Sequence, residues 1–232
     1  MEAIVLAGGL GTRLRSKVAD RPKAMAPVAG RPFLAFLLDK LLDSGCDSLL
    51  LSVGYLRQVI VDEFQDNYRG LPIRYVVEET PVGTGGAIRL ALAQAQQDSV
   101  LVLNGDTYLD ADFAAMLAFH LSAGRPMTMA IAQVEDTARY GGVLLDESRV
   151  SGLLEKGRQG RGWINAGAYF LERQFPWPAH LEDRFSFETD VLMPCLDSLE
   201  PAAFLCPGYF LDIGIPEDLD RAQRELIKQT RS

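Results

Sequence analysis

The chain has 232 residues, 48% of them hydrophobic, and a formal charge of −8. That length and apolar content suffice for one large α/β domain or two small ones. The acidic balance argues against a nucleic-acid or anionic-membrane partner, because both would repel the protein as a whole. Cys46, Cys195 and Cys206 lack C-x-x-C spacing and read as thiols of a reducing compartment. His120 and His180 complete no zinc pattern with them. Neither a secretory leader nor a membrane-length apolar run is found, so a soluble, cytoplasmic protein is expected.

Ala3 to Ala7 is a short apolar run that predicts a buried strand. It leads into Gly8-Gly9-Leu10-Gly11-Thr12-Arg13-Leu14, with Pro22-Lys23 shortly after. Glycines let the backbone bend tightly and turn its N–H groups onto a ligand. With Arg13 and Lys23 in reach, the loop suits a polyphosphate held beside Leu6, Ala7, Gly8, Gly9, Gly11 and Thr12. A dinucleotide fingerprint would need a third glycine where Leu14 stands, and a P-loop would end in Gly-Lys-Ser/Thr. A plain surface turn is the remaining alternative.

Pro32 suits a helix start, and the spacing predicts a helix over 33–42 that Gly45 ends. A strand follows at 49–53, a short helix at 59–64 and a strand at 73–77. Gly83-Thr84-Gly85-Gly86 opens a helix reaching about Ala95. Further on come a strand at 100–103, a helix at 113–121 and a strand at 127–132. This βαβα order predicts a Rossmann-like, mostly parallel central sheet with helices on both faces. In the second half, 143–145, 150–154 and 163–171 read as strands separated by turns. They would add antiparallel pieces covering one side of a cleft. Residues 174–184 read as a loop, and Pro216-Glu217-Asp218 starts a last helix. One domain is expected, with subregions of about 1–135 and 136–232.

Several groups on this frame could carry chemistry. Asp106, in Asn104-Gly105-Asp106, follows a predicted parallel strand, where open α/β sheets gather ligands. Its hard carboxylate suits Mg²⁺, and an Asn-Gly turn with a capping aspartate is the alternative. Asp212 lies in an apolar stretch, where a metal or a salt bridge would offset the cost of burying its charge. Thr84, Gly85 and Gly86 could approach a flat base edge or simply start a helix. Asp110-Ala111-Asp112 fits a D-x-D metal motif and equally a helix cap before Phe113.

The G-G-x-G-T-R-L run with its downstream P-K resembles the signature of the sugar-1-phosphate nucleotidyltransferases, and the likeness extends from Ala3 to about Asp220. Within that family the chain looks most similar to the short bacterial enzymes that make a GDP-linked manno-heptose. The resemblance implies a nucleotidyltransferase (GT-A-like) fold whose antiparallel subregion binds the sugar. It implies attack by a sugar 1-phosphate on the α-phosphorus of a nucleoside triphosphate, with pyrophosphate as leaving group. Arg13, Lys23 and Asp106 would be catalytic, and Asp106 and Asp212 would hold Mg²⁺. Asp212-Ile213-Gly214-Ile215-Pro216-Glu217 is similar to the family's D-I-G-x-P-E, with Ile215 where threonine is common. Ala24 follows Lys23 where many relatives carry proline. Lys23, Gly141, Glu155, Lys156, Asn165 and Gly167 would meet the sugar phosphate, with Glu188 a further candidate. Read without the likeness, these last are a turn, a solvated charge pair, a satisfied strand amide and a helix end.

GTP with a manno-heptose 1-phosphate is the expected pair, and a homodimer is compatible. Mannose, glucose or an N-acetyl sugar with UTP or dTTP are alternative substrates. A nucleotide-sugar glycosyltransferase using the D-x-D acids and a non-catalytic nucleotide sensor are the other classes weighed.

Overall fold

The computed structural model describes residues 1–9 and 20–229. Gly11, Thr12 and Arg13, predicted to grip phosphate, lie outside the described residues.

Strand β1 (Glu2–Leu6) is followed by a short hairpin of β2 (Pro27–Val28) and β3 (Arg31–Pro32), and then by α1 (Phe33–Asp43). Next come β4 (Ser48–Val53), α2 (Arg57–Phe64), β5 (Asn67–Tyr68), β6 (Leu71–Val77) and α3 (Gly83–Leu92). Strand β7 (Ser99–Asn104) precedes β8 (Thr107–Leu109), α4 (Phe113–Ala123) and β9 (Met127–Val134). The second half holds β10 (Val143–Asp146), β11 (Arg149–Leu153), β12 (Gly162–Glu172), α5 (Met193–Leu199), β13 (Ala202–Cys206), β14 (Phe210–Asp212) and α6 (Pro216–Gln229).

Ten strands form one sheet in the order β10-β11-β13-β9-β12-β7-β1-β4-β6-β5. All of them run in one direction except β5, β11 and β12. The mostly parallel, mixed sheet follows from side chains that alternate between two apolar layers. Ala3 and Val5 of β1 enter one core, and Ile4 enters the other. The first core takes Leu34 and Leu38 of α1, Met116 of α4 and Leu226 of α6. The second takes Ile88 and Leu92 of α3 and Leu199 of α5. Strands buried on both faces read as the continuous apolar runs seen in the sequence. Among the described residues no helix is long and apolar enough to cross a membrane.

The second half departs from expectation chiefly at β12. Strands β10 and β11 do extend the far edge, but β12 inserts antiparallel between β7 and β9. Its residues explain this, because Ile164, Ala166 and Phe170 face one core while Tyr169 and Leu171 face the other. Such a strand needs a neighbour on each side and a cover on each face. Strands β2, β3, β5, β8, β13 and β14 and helix α5 were not foreseen, and α3 stops at Leu92, short of Ala95.

The loop after β7 is pinned to the end of β1. Gly105 donates its N–H to the Leu6 carbonyl at 3.0 Å. A Cβ at Gly105 would lie 2.6 Å from that same oxygen, so no side chain fits without separating the two loops. Gly105→Ala should therefore cost about 2 kcal/mol of stability, the usual scale of overpacking a tight contact. Urea unfolding checks this, and an unchanged midpoint would contradict the pinning.

Candidate active site

Among four adjacent parallel strands, β1, β6 and β7 deliver their carboxyl ends to one hollow of about 380 Å³, with β4 lying between β1 and β6. In open α/β sheets this is where ligands collect. Leu6 lies level with Ser52 on one side and Asn104 on the other. The chain leaving β1 continues along the wall as Ala7, Gly8 and Gly9, and Ala7 donates its N–H to the Ser52 carbonyl at 2.8 Å.

Asp106 and Asp212 are 106 positions apart in the chain, and a two-stranded ribbon brings them together. β14 pairs antiparallel with β8, setting Asp212 opposite Thr107. The Ile213 N–H then donates to the Asp106 carbonyl at 3.0 Å. Lys23 reaches the same point from a 3-10 turn, Lys23–Met25, anchored by buried Ala24 and Met25. The lysine's path is thus built with alanine at position 24. Its ammonium pairs with Asp106 Oδ2 and lies 3.6 Å from Asp212 Oδ1.

Asp212 is the more enclosed acid. Burial raises its pKa first, and the neighbouring Asp106 charge raises it further. Lys23, the Gly214 N–H (2.7 Å from Oδ1) and Arg139 (3.9 Å from Oδ2) oppose that rise. Arg139 is itself tied to Asp218 in the first turn of α6. Asp106 lines the hollow, and Asp212 stands just behind its wall beside Lys23 and Gly214, its side chain 25% exposed. Two hard carboxylates so paired are the donor type Mg²⁺ takes, with phosphate and water completing its shell. No group of three or more His, Cys, Asp or Glu gathers among the described residues.

Of the other predicted contacts, Thr84 lines the hollow, and its hydroxyl accepts the Phe187 N–H at 3.0 Å. Gly85 and Gly86 do not line it. They lie under residues 183–187, where a Cβ on Gly85 would fall 2.2 Å from the Phe185 ring. Gly141, Glu155, Lys156, Asn165 and Gly167 also stand outside its wall. Glu155 and Lys156 are exposed beyond the end of β11. Asn165 donates to the Tyr169 hydroxyl at 2.7 Å and accepts the Gly167 N–H at 3.0 Å, closing an irregularity in β12. Gly141 has φ +81°, and a Cβ there would meet the Leu154 carbonyl at 2.6 Å. Glu188 starts a π-helical turn, Glu188–Leu192.

The D-x-D pair has structural partners. Asp110 holds Lys40 at 2.6 Å, and Asp112 caps α4 by accepting the Ala115 N–H at 2.8 Å. Neither acid lines the hollow.

Sequence reasoning missed two lining residues. Glu78 directly follows β6, as Asp106 follows the loop beyond β7, so the strand-end rule could have found it. Its Oε1 accepts the Ser52 hydroxyl at 2.8 Å, and it sits where a Gly8 side chain would be. Arg184 reaches the hollow from the long loop after β12 and is exposed, with no ion pair among the described residues. Nothing in its local sequence signals that position.

Comparison with known proteins follows the same lines. The family model described as "Nucleotidyl transferase" matches residues 2–229. The chain is 40% identical to D-glycero-alpha-D-manno-heptose 1-phosphate guanylyltransferase of Aneurinibacillus thermoaerophilus, over 97% of this chain and 98% of that one. It is 39% identical to the Campylobacter jejuni protein of the same name, over 94% of this chain and 96% of that one. The crystal structure of HddC from Yersinia pseudotuberculosis complexed with GMP-PN superposes with a TM-score of 0.84 at 37% identity, covering 97% and 99% of the two chains.

The strain on Asp212 has a measurable sign. An acid whose folded pKa is raised destabilises the fold once ionised, so its penalty appears as pH climbs from about 3.9 through the raised value. Asp212→Asn removes that penalty. Metal-free variant should melt about 2 °C or more above wild type at pH 7, and the gap should close at low pH. Calorimetry across pH checks this, and a variant that melts lower at pH 7 would contradict it.

Proposed function

The chain belongs to the nucleotidyl transferase family, and from that premise we propose that it transfers a guanylyl group from GTP to a manno-heptose 1-phosphate, releasing pyrophosphate. The heptose follows the names of the two relatives, and GTP follows those names and the GMP-PN in the Yersinia crystal.

Glu78 is the observation that carries the choice of base. The Watson–Crick edge of guanine offers two adjacent donors, N1–H and N2–H₂, and a carboxylate accepts both. Uracil and thymine set a carbonyl on each side of a single N–H, so the same carboxylate repels them. Adenine turns a lone pair towards it. Ser52 holds Oε1 in place, while Oε2 makes no hydrogen bond among the described residues.

The attacking phosphate is already a nucleophile, so the reaction needs charge neutralised and groups aligned more than it needs a base. Backbone N–H groups from Gly8 onward would hold the triphosphate, with Arg13 aiding the departing pyrophosphate. Lys23 and Arg184 are the cations on this wall that would draw in the sugar phosphate. Arg184 lines the hollow and Lys156 does not, which favours Arg184 for this part. Enzymes of this family generally use a divalent metal. Asp106 and Asp212 would hold Mg²⁺, which supplies charge neutralisation at the phosphates.

A pyrophosphate-release assay with four triphosphates against manno-heptose and mannose 1-phosphates tests the reading. GTP with the heptose should give the highest kcat/KM. Glu78→Gln should lower kcat/KM for GTP by about tenfold to a hundredfold, the worth of a hydrogen bond to a charged group, and should soften the rejection of UTP. A wild type that prefers UTP or dTTP, or a variant with unchanged base preference, would overturn the assignment.

A further inference from the structure

Helix α3 begins with three glycines in four positions, yet none of its first-turn residues receives a side-chain cap. Glycine inside a helix costs about 1 kcal/mol relative to alanine, so its repeated use calls for a local reason. That reason lies in a segment about 100 residues away. Phe185 donates its N–H to the Val82 carbonyl at 3.0 Å, and its own carbonyl accepts the Gly85 N–H at 3.0 Å. The Phe187 N–H adds a bond to the Thr84 hydroxyl at 3.0 Å. The Phe185 carbonyl thus accepts a first-turn N–H of α3 that no side chain caps, and the other two bonds tie the segment to the helix start.

Each glycine clears room for this segment. Gly83 has φ +75°, and a Cβ there would fall 2.3 Å from the Phe185 carbonyl oxygen. A Cβ on Gly85 would overlap two Phe185 ring atoms, at 2.2 and 2.3 Å, and one on Gly86 would lie 3.0 Å from the Asp183 carbonyl. The ring cannot swing away freely. Arg89 of α3 lies over it at 4.8 Å, and Trp177 packs edge-on at 5.7 Å. Arg89 also donates to the Glu182 carbonyl at 3.2 Å. Arg184 is the residue of this segment that faces the hollow, while Gly83 and Thr84 line it from the helix side.

We propose that the glycine-rich start of α3 is a seat for residues 182–187, and that Gly85 is a positioning residue whose missing side chain lets Phe185 dock and holds Arg184 over the hollow. This rests on the transfer reading above for what Arg184 receives, the phosphate of the sugar 1-phosphate. The seat couples the wall that meets the nucleotide to the cation that meets the second substrate. Misplacing such a cation by about 1 Å is enough to cost up to a hundredfold.

Two readouts test it. Trypsin cleaves after Arg184, and seating should protect that bond, because the N–H and carbonyl of Phe185 are both held by α3. Gly85→Ala should speed cleavage at Arg184–Phe185 by about tenfold or more, followed by mass spectrometry. It should raise KM for the sugar phosphate by about tenfold while KM for GTP moves less than about threefold. Adding Phe185→Val removes both clashing ring atoms and should restore much of the protection and of the sugar-phosphate KM. Gly85→Ala combined with Arg184→Met should be little worse than Arg184→Met alone.

Unchanged cleavage in Gly85→Ala would overturn the seat. Faster cleavage with an unchanged sugar-phosphate KM, or equal losses for both substrates, would overturn the positioning role. If wild type makes no nucleotide sugar, the transfer reading falls, and the cleavage rates of Gly85→Ala and of its Phe185→Val rescue still decide the seat.

Discussion

The ammonium of Lys23 stands against two carboxylates that the fold forces into one place, Asp106 and Asp212. Like charges do not gather without compensation, and here each element around them supplies some. The 3-10 turn brings the lysine, the D-I-G turn brings the Gly214 N–H, and the loop before β10 brings Arg139. Even so, burial and the neighbouring charge leave Asp212 reluctant to ionise. A site that stays uncomfortable without a further cation is suited to taking one up with an anionic substrate. The stability given up locally is carried by two continuous apolar layers elsewhere in the sheet.

The topology explains why these groups meet. Parallel strands end on the same side, so loops distant in sequence open on one rim. β1 contributes a glycine-rich wall, β7 the turn pinned through Gly105, and β6 the carboxylate of Glu78. The small β8–β14 ribbon then folds the C-terminal region back onto that rim and delivers Asp212. The long loop after β12 closes the opposite side with Arg184. On the proposed reading, the nucleotide would be met from the first half of the chain and charge would be handled by both halves.

Much of this was legible in sequence because it is local. The apolar runs of β1, β4 and β7 and the spacing of α1 and α4 follow from periodicity alone. Asp106 could be placed because it comes just after a parallel strand. The insertion of β12 was not legible, since sheet order depends on which faces find partners. Asn165, expected to meet the sugar phosphate, has its amide bonded to Tyr169 and Gly167, partners that no local pattern announces. Gly85 and Gly86, expected to meet a base edge, also leave room for Phe185 and Asp183, about a hundred positions later, which the sequence did not announce. Arg184 had no local signal because its role comes from where that segment docks.

The most direct test of the electrostatic account is metal binding itself. Electron paramagnetic resonance of Mn²⁺ in the presence of a non-hydrolysable GTP analogue should reveal a protein-bound ion. Asp106→Asn and Asp212→Asn should each weaken that binding by about tenfold or more, since each removes a charged ligand. If either variant binds Mn²⁺ with wild-type affinity, the two acids do not share one ion, and the convergence on Lys23 is only a salt bridge.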